Sequence, residues 1–245
     1  MFGFSAFSET PVSDDGFVRT DPYGGGLVIL HFNKTILKFP LVVNKQADFS
    51  LNIVMPLQYD FIDRKGNYNM LHKHVKHKHL HKAIDIGAWW GPWSLWWHDK
   101  VDHIEIFEPN KDILPKLKNN ITNLRNCTLH EMALGDINGH VSMDYVDHSG
   151  TYHINGAEGT IEIKKLDEFH FDNVDLIKID AEGYELPVLE GAKETILHNR
   201  PWIQIEANKS GARYGRTKVD IANFLDSLGM KRKAKKWPDQ VWHFN

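Results

Sequence analysis

Short apolar runs alternate with amphipathic segments along the chain from residue 82 onward. Runs of about four to eight branched apolar residues are typical of strands buried on both faces, whereas apolar residues at helical spacing indicate helices. Strands are predicted at 82–86, 101–108, 126–132, 173–180, 201–206, 230–236 and 240–244. Helices are predicted between them at 92–97, 111–122, 187–197 and 219–225. Such alternation is typical of a mostly parallel sheet with helices on its faces.

The first third of the chain has a different pattern. Residues 27–39 alternate between apolar and polar positions around Asn33-Lys34, which predicts a hairpin. Residues 1–20 mix aromatic with small polar residues and fit either a mobile tail or a tethering arm. We therefore divide the chain into a β-rich accessory region, 1–80, expected to cover the cleft of the main domain, and that domain, 81–245.

A glycine turn follows the first buried strand in the stretch KAIDIGAWWGP (82–92). Its two glycines permit a tight turn, and its proline suits the first turn of a helix. A helix N-terminus facing such a turn suits the anionic groups of nicotinamide dinucleotides or of S-adenosylmethionine. The spacing is Asp-x-Gly-x-x-x-Gly and lacks the Gly-x-Gly-x-x-Gly of dinucleotide enzymes. A nicotinamide-dependent oxidoreductase is therefore the least favoured class.

Acidic residues follow the ends of two further strands. Glu108 ends the second strand, where it is placed to accept hydrogen bonds from ribose hydroxyl groups. Asp180, Glu182 and Glu185 follow the fourth strand beside a glycine. Because ligands of open α/β sheets bind beyond the carboxyl ends of the strands, Asp85, Glu108 and Asp180 are expected around one crevice.

Composition narrows the function classes. The 245-residue chain has a net charge of −3, which gives no general attraction for nucleic acid or acidic membranes. No stretch approaches the ~20 apolar residues of a membrane span, and no secretion signal is recognisable. The single cysteine, Cys127, fits a reducing compartment. These features predict a cytoplasmic protein that does not bind membranes, and they leave its oligomeric state open.

Five histidines alternate with lysines just before the first buried strand, at His72, His74, His77, His79 and His81. The run contains no cysteine or carboxylate, and five imidazoles in one extended segment cannot converge on one ion. We therefore interpret it as a solvated basic linker, with a metal site as the alternative.

Five motifs carry a resemblance to a known family: DIGAWWG (85–91), IFEPN (106–110), ALGD (133–136), LDEF (166–169) and KIDAEGYELPVLEGA (178–192). In order and spacing they resemble FkbM-type class I S-adenosylmethionine-dependent methyltransferases, from about residue 80 to the end. The resemblance implies an α/β fold: a Rossmann-like, doubly wound, mostly parallel seven-stranded sheet with an antiparallel last strand, here preceded by a β-rich extension. It also implies methyl transfer from S-adenosylmethionine to a hydroxyl group of a small molecule or sugar.

The resemblance further implies the site residues. The cofactor is expected to contact Asp85, Gly87, Ala88, Trp89, Gly91, Glu108, Pro109, Asn110, Ala133, Leu134 and Asp180. Candidates for the base that accepts the hydroxyl proton are Asp180, Glu182, His153 and Glu206. Asp180 and Glu182 are favoured because they adjoin the expected methyl position. No metal ligand is assigned, although a metal-assisted variant would use oxygens of Asp180, Glu206 and Asn208 for magnesium.

Two other classes stay open. Trp89 stands where the family usually has asparagine, and a ring that fills the methionine pocket would make the fold a catalytically inactive binding or structural module. The basic stretch 231–236, together with the histidine run, favours a nucleic-acid methyltransferase. Lysines on an edge strand more often prevent aggregation, so we favour a small-molecule or carbohydrate acceptor.

Overall fold

The computed structural model describes residues 9–13, 16–19, 27–32, 35–40 and 68–245, the last range without 147–150 and 157. The chain divides into two compact units, residues 1–57 and 58–245. The predicted boundary near residue 80 and the predicted role of the first region as a cover stay predictions.

The first unit contains a four-stranded antiparallel sheet with the strands in chain order. Its strands are β1 (Glu9–Ser13), β2 (Gly16–Arg19), β3 (Leu27–Phe32) and β4 (Thr35–Pro40). The predicted hairpin is confirmed, since Leu30 lies opposite Leu37 and Phe32 opposite Thr35. No strand was predicted within residues 1–20, whereas β1 and β2 lie there.

The second unit alternates strands and helices as predicted. Its strands are β5 (Lys82–Ile86), β6 (His103–Phe107), β7 (Cys127–His130), β8 (Ala133–Leu134), β9 (Gly139–Val141), β10 (Met143–Val146), β11 (Thr151–Ile154), β12 (Ile161–Lys164), β13 (Val174–Ile179), β14 (Trp202–Glu206), β15 (Met230–Lys236) and β16 (Asp239–Phe244). Its helices are α1 (Tyr68–Val75), α2 (Pro92–Trp97), α3 (Leu114–Ile121), α4 (Glu185–Glu190), α5 (Lys193–Asn199) and α6 (Lys218–Ser227).

Seven strands form one sheet in the order β15-β16-β14-β13-β5-β6-β7. Five adjacent strands of this sheet, β14, β13, β5, β6 and β7, run parallel to one another. Strand β16 is antiparallel to both of its neighbours, β14 and β15. This is the predicted Rossmann-like topology, and each of the seven predicted strands is confirmed. Chain order reverses on either side of β5, so the carboxyl ends of β5, β6 and β13 meet at the switch point where such sheets bind ligands.

Both faces of the sheet are covered by apolar side chains. Trp93 and Trp97 of α2 are buried beside Ile104 and Ile106 and belong to the core, whereas Trp96 is partly buried against it. Helices α4, α5 and α6 cover the other face around Ile177. Fully burying one such side chain stabilises the fold by about 1.5–3 kcal/mol, so the strands that carry the site are rigidly supported.

The first part of the histidine run forms a helix and not a linker. Residues 68–75 form α1, whose Leu71 and Val75 are buried. His72 packs edge-on against Trp97, with ring centroids 5.8 Å apart, and His74 stacks on Trp202 at 4.8 Å. The linker prediction was wrong here because the buried residues are few and lie between histidines and lysines.

The predicted helix 187–197 is two short helices that break at Gly191. A Cβ at this position would lie 1.8 Å from the carbonyl oxygen of Gly135, so the break allows the two backbones to touch. Leu197 and Val219, apolar residues within the two predicted helices 187–197 and 219–225, are 38% and 56% exposed.

Candidate active site

A cavity of about 340 Å³ opens at the carboxyl ends of β5, β6 and β13. Its size lies within the ~300–1,000 Å³ of typical small-molecule sites. Eight predicted cofactor residues line it: Gly87, Trp89, Glu108, Pro109, Asn110, Ala133, Leu134 and Asp180. The base candidate Glu182 also lines it. The strand ends therefore bring most of the predicted site together.

The turn after β5 is pressed against the end of β13. Gly87 has a φ of 71°, and a Cβ there would lie 1.9 Å from the carbonyl oxygen of Asp180. The Gly87 amide donates a hydrogen bond of 3.0 Å to the Phe107 carbonyl at the end of β6. Only glycine permits this approach, which places the backbones of all three strand ends side by side.

The side chain of Lys178 supports the same turn through a hydrogen bond. The sequence analysis did not predict this residue as part of the site. Its Nζ donates to the Gly87 carbonyl at 2.6 Å and lies 3.3 Å from Asp85 Oδ1 and 3.7 Å from Asp180 Oδ2. A signal for it existed, because a lysine inside an otherwise apolar buried strand requires a charged partner.

Three predicted cofactor residues do not reach the cavity wall. Asp85 is fully buried, and its Oδ2 accepts a hydrogen bond of 2.6 Å from Ser94 Oγ, so it lies beneath the crevice. Ala88 is also buried. Gly91, with a φ of 91°, packs against Leu117 of α3, whose Cδ1 would lie 2.9 Å from an added Cβ. These residues shape the turn through the backbone and through packing.

Glu108 is the acid best placed for a ribose. Its Oε2 accepts from the Trp89 amide at 2.7 Å, and its Oε1 accepts from the Asn110 amide at 2.9 Å. Burial raises the pKa of Glu108 to about 7, against the lowering effect of these two amides. Each carboxylate oxygen has a second lone pair, so Glu108 retains acceptor capacity for hydroxyl groups.

The remaining wall near Glu108 is apolar and suits a nucleoside base. Ile113, Met132 and Leu134 contribute its side chains. Met143 of β10 and Ile154 of β11, which pair directly across a two-stranded sheet, also line the cavity. An acid that can accept from ribose hydroxyls beside an apolar wall fits S-adenosylmethionine.

Trp89 leaves the cavity open. Its side chain is 52% exposed, its φ is 54°, and its ring packs against Trp90 with centroids 5.0 Å apart. A catalytically inactive module was expected to have this ring inside the methionine pocket. The exposed ring counts against that alternative.

Carboxyl groups cluster around Asp180, which lines the crevice, whereas Glu185 and Glu206 are not among the lining residues. Oxygens of Asp180, Glu185 and Glu206 all lie within 4.8 Å of one another. Glu185 Oε1 accepts from the amides of Ala181 and Gly183, at 3.1 and 2.9 Å, and so supports the turn before α4. Burial raises the pKa of Glu185 to about 7.

Glu206 holds its proton at neutral pH. Burial and then the charge of Asp180 raise the pKa of Glu206 to about 9. Burial and then Asp180 also raise the pKa of Glu182. A protonated Glu206 hydrogen-bonded to Asp180 stabilises the Asp180 carboxylate, whereas it cannot itself accept a proton.

Two of the three predicted magnesium ligands, Asp180 and Glu206, lie close together. Asn208 Nδ2 donates to Glu206 Oε2 at 2.8 Å, and Asn208 Oδ1 accepts from the Ser210 amide at 2.6 Å. The amide oxygen is therefore engaged in its own turn, and the convergent oxygens are those of Asp180, Glu185 and Glu206. Metal assistance stays a prediction, checked by whether a chelator changes activity.

The side chain of His153 lies outside the described part of the structure, so its role as a base stays a prediction. Tyr184, which the sequence analysis missed, lines the cavity and packs edge-on against Tyr214 at 5.1 Å. The Tyr214 hydroxyl donates to the Ile154 carbonyl at 2.9 Å and so connects this wall to β11.

Comparisons with known proteins agree with this geometry. The sequence profile of the methyltransferase FkbM domain matches residues 85–231, more than half of the chain. No curated protein sequence matches significantly. Within the described part of the chain, no helix is long and apolar enough to cross a membrane.

A solved structure shares this fold at low identity. The methyltransferase FkbM of Methylobacillus flagellatus KT is 18% identical with a TM-score of 0.50, covering 72% of this chain and 48% of that protein. This chain thus spans about half the length of that relative. Precorrin-6y C5,15-methyltransferase of Geobacter metallireducens GS-15 is 14% identical, with a TM-score of 0.45 and coverage of 73% and 87%. By its sequence profile, the chain belongs to the FkbM methyltransferase family and carries an S-adenosylmethionine-dependent methyltransferase domain.

Proposed function

We propose that this chain transfers a methyl group from S-adenosylmethionine to a hydroxyl group of a small molecule or sugar. The observation that carries the proposal is one crevice lined by two kinds of residue. We assign Glu108 and the apolar side chains to the donor wall, and the carboxyl groups of Asp180 and Glu182 to the acceptor wall.

The chain's own residues supply alignment and proton transfer. When bound, the cofactor supplies an electrophilic methyl group on its sulfonium sulfur. Glu108 would accept hydrogen bonds from the ribose, while the Gly87 turn, fixed by Lys178, would set the depth of the nucleoside. Holding two reactants in line lowers the barrier because orientation is already achieved in the bound state.

Asp180 or Glu182 would accept the proton of the acceptor hydroxyl as its oxygen bonds to the methyl carbon and the carbon–sulfur bond breaks. A base works best when its pKa approaches the working pH, which favours Glu182 with its raised pKa. Glu206, already protonated, is the less suitable base. Carboxylates on this wall also favour a hydroxyl over an anionic acceptor, since like charges repel.

The test has two stages. Isothermal titration of the full chain should show saturable binding of S-adenosylmethionine, and no binding at millimolar cofactor would refute the proposal. Transfer of labelled methyl groups to a panel of sugars and hydroxylated small molecules should then fall by about 10²–10⁴-fold in the variant that removes the base, Asp180→Asn or Glu182→Gln. The exposed Glu194→Gln is the matched control and should keep full activity.

The basic stretch does not favour a nucleic-acid acceptor. It lies on β15, at the edge of the seven-stranded sheet. Lys231 pairs with Asp226 at 3.0 Å and Lys233 bonds Asn245 at 3.0 Å. These contacts support the protection of an edge strand. An affinity for RNA or DNA that falls steeply as the salt concentration rises would instead favour a nucleic-acid acceptor.

A further inference from the structure

Two residues of the histidine run meet a carboxylate from another part of the chain. His79 and His81 immediately precede β5, and Asp102 immediately precedes β6. They lie at the amino ends of these parallel strands, whereas the cavity lies at the carboxyl ends. This cluster is therefore separate from the methyl-transfer crevice.

The three side chains share one small space. His79 Nε2 lies 3.0 Å and His81 Nδ1 lies 3.1 Å from Asp102 Oδ2. The imidazole rings are 4.6 Å apart and nearly perpendicular, at 83°. Tetrahedral zinc ligands with bonds of about 2.0–2.2 Å are separated by roughly 3.4 Å. A small outward movement of these side chains would therefore admit an ion.

The backbone already fixes the two segments relative to each other. The Asp102 amide donates to the Leu80 carbonyl, and the His103 amide donates to the His81 carbonyl, both at 2.9 Å. The His81 amide also donates to Asp175 Oδ2 at 2.6 Å. The side chains of His79 and His81 both reach Asp102, whereas Leu80 between them is buried. Little order would have to be created when an ion binds.

The donor set decides which ion the cluster suits. Imidazole nitrogens bind zinc, copper, nickel and cobalt well, whereas magnesium and calcium prefer oxygen ligands alone. The side chains of His79, His81 and Asp102 are 68%, 55% and 54% exposed, so water can complete the coordination. We propose that His79, His81 and Asp102 form a binding site for a divalent transition-metal ion such as zinc, which ties the segment after α1 to the sheet.

Titration of zinc into the full chain tests the site directly. Calorimetry of metal-free protein should show a saturable event that weakens by about tenfold or more in His79→Gln, His81→Gln and Asp102→Asn, since even outer-shell changes cost about 10–100-fold. The matched control is His77→Gln, an exposed histidine of the same run outside the cluster, which should stay within about twofold of the wild type. Absence of a saturable event, or equal loss in the control, overturns the proposal.

Two further readouts separate this site from the carboxyl cluster of the crevice. With copper as the probe, electron paramagnetic resonance should show coupling to two nitrogens, lost in the double variant His79→Gln/His81→Gln. An oxygen-only signal, or one unchanged in the double variant, contradicts the site. Zinc should raise the melting temperature of the wild type and not of the double variant. Because both proteins should bind S-adenosylmethionine equally, failure here is distinguishable from failure of the proposed methyl transfer.

Discussion

At the scale of the residue, Lys178 organises the floor of the crevice. Its ammonium group lies against the Gly87 carbonyl, the buried Asp85 and Asp180. One buried cation thus compensates a carboxylate that has no access to water, and it ties the nucleotide turn to the strand that carries the proposed base.

Lys178→Met should lower the free energy of unfolding by about 3–5 kcal/mol, because Asp85 would be left as a buried, uncompensated charge. The matched control is Lys231→Met, which removes the exposed pair with Asp226 and should cost less than about 1 kcal/mol. Denaturant titration of both variants measures the difference. Equal losses would mean that the buried pair contributes no more than a surface pair.

Affinity for S-adenosylmethionine should rise about tenfold between pH 6 and pH 8. The pKa of Glu108 is about 7, and its ionised form is the stronger acceptor for ribose hydroxyls. The variant Glu108→Gln should bind more weakly and with no such slope over this range. Calorimetry at several pH values checks both. A variant that keeps the wild-type slope would assign the titration to another group.

Asp85 shows that the direction of a side chain on a buried strand could not be predicted from the sequence. The strand that carries Asp85 was predicted correctly, whereas the side chain points into the core rather than to the cavity. Which face a residue of a doubly covered strand occupies depends on its neighbours, here Ser94 and Lys178, and not on a period along the sequence. Glu108 follows the end of its strand and was placed correctly for that reason.

At the scale of the element, the turn after β5 depends on the absence of a side chain. Gly87 combines a positive φ with contact against the Asp180 carbonyl. Gly215 has almost the same φ, 67°, and no atom within 4 Å of an added Cβ. Comparing substitutions at these two glycines therefore separates the effect of backbone strain from the effect of steric contact.

Gly215→Ala should cost about 1–2 kcal/mol of stability, the ordinary penalty of a left-handed alanine. Gly87→Ala should cost clearly more and should also weaken cofactor binding by at least about tenfold, because the turn must move away from β13. Thermal melts and calorimetry with S-adenosylmethionine measure the two effects. If both variants lose the same stability and the same affinity, the contact between the Gly87 turn and the Asp180 carbonyl does not contribute to cofactor binding.

Elements with a continuous apolar pattern could be predicted, and those with an interrupted pattern could not. The buried strands of the seven-stranded sheet could be predicted because each has an apolar run, whereas the basic edge strand β15 has none. Helix α1 was missed because its buried residues, such as Leu71 and Val75, are separated by histidine and lysine. The sequence argument about a metal site considered only the histidine run, whereas Asp102, which lies beside His79 and His81, comes from a segment remote in sequence.

At the scale of the whole molecule, buried carboxyl groups make stability depend on pH. The pKa of Glu206 is raised to about 9 and that of Glu185 to about 7. In the unfolded chain these groups ionise near pH 4.5, so the folded form holds extra protons between that pH and the raised value. Their stabilising contribution is complete below about pH 4.5 and is lost as the pH rises through 7 to 9.

The free energy of unfolding should therefore fall less between pH 5 and pH 9 in Glu206→Gln than in the wild type, by about 1–3 kcal/mol. This range is smaller than the full shift implies, because the side chain is partly exposed. The exposed Glu194→Gln should follow the wild-type curve. Denaturant titrations across the pH range provide the measurement, and parallel curves for all three proteins would disprove the link.

The pairing of Met143 with Ile154 has one more consequence. Both side chains face the cavity, yet they belong to a two-stranded sheet separate from the seven strands that carry Gly87, Glu108 and Asp180. Changes of residue type in this pair of strands would therefore reshape the apolar wall beside the nucleoside without moving the strand ends that hold Glu108 and Asp180. Chains that share this sheet would differ first in how tightly they hold the base of the cofactor, whereas the groups for the ribose and the acceptor hydroxyl keep their places.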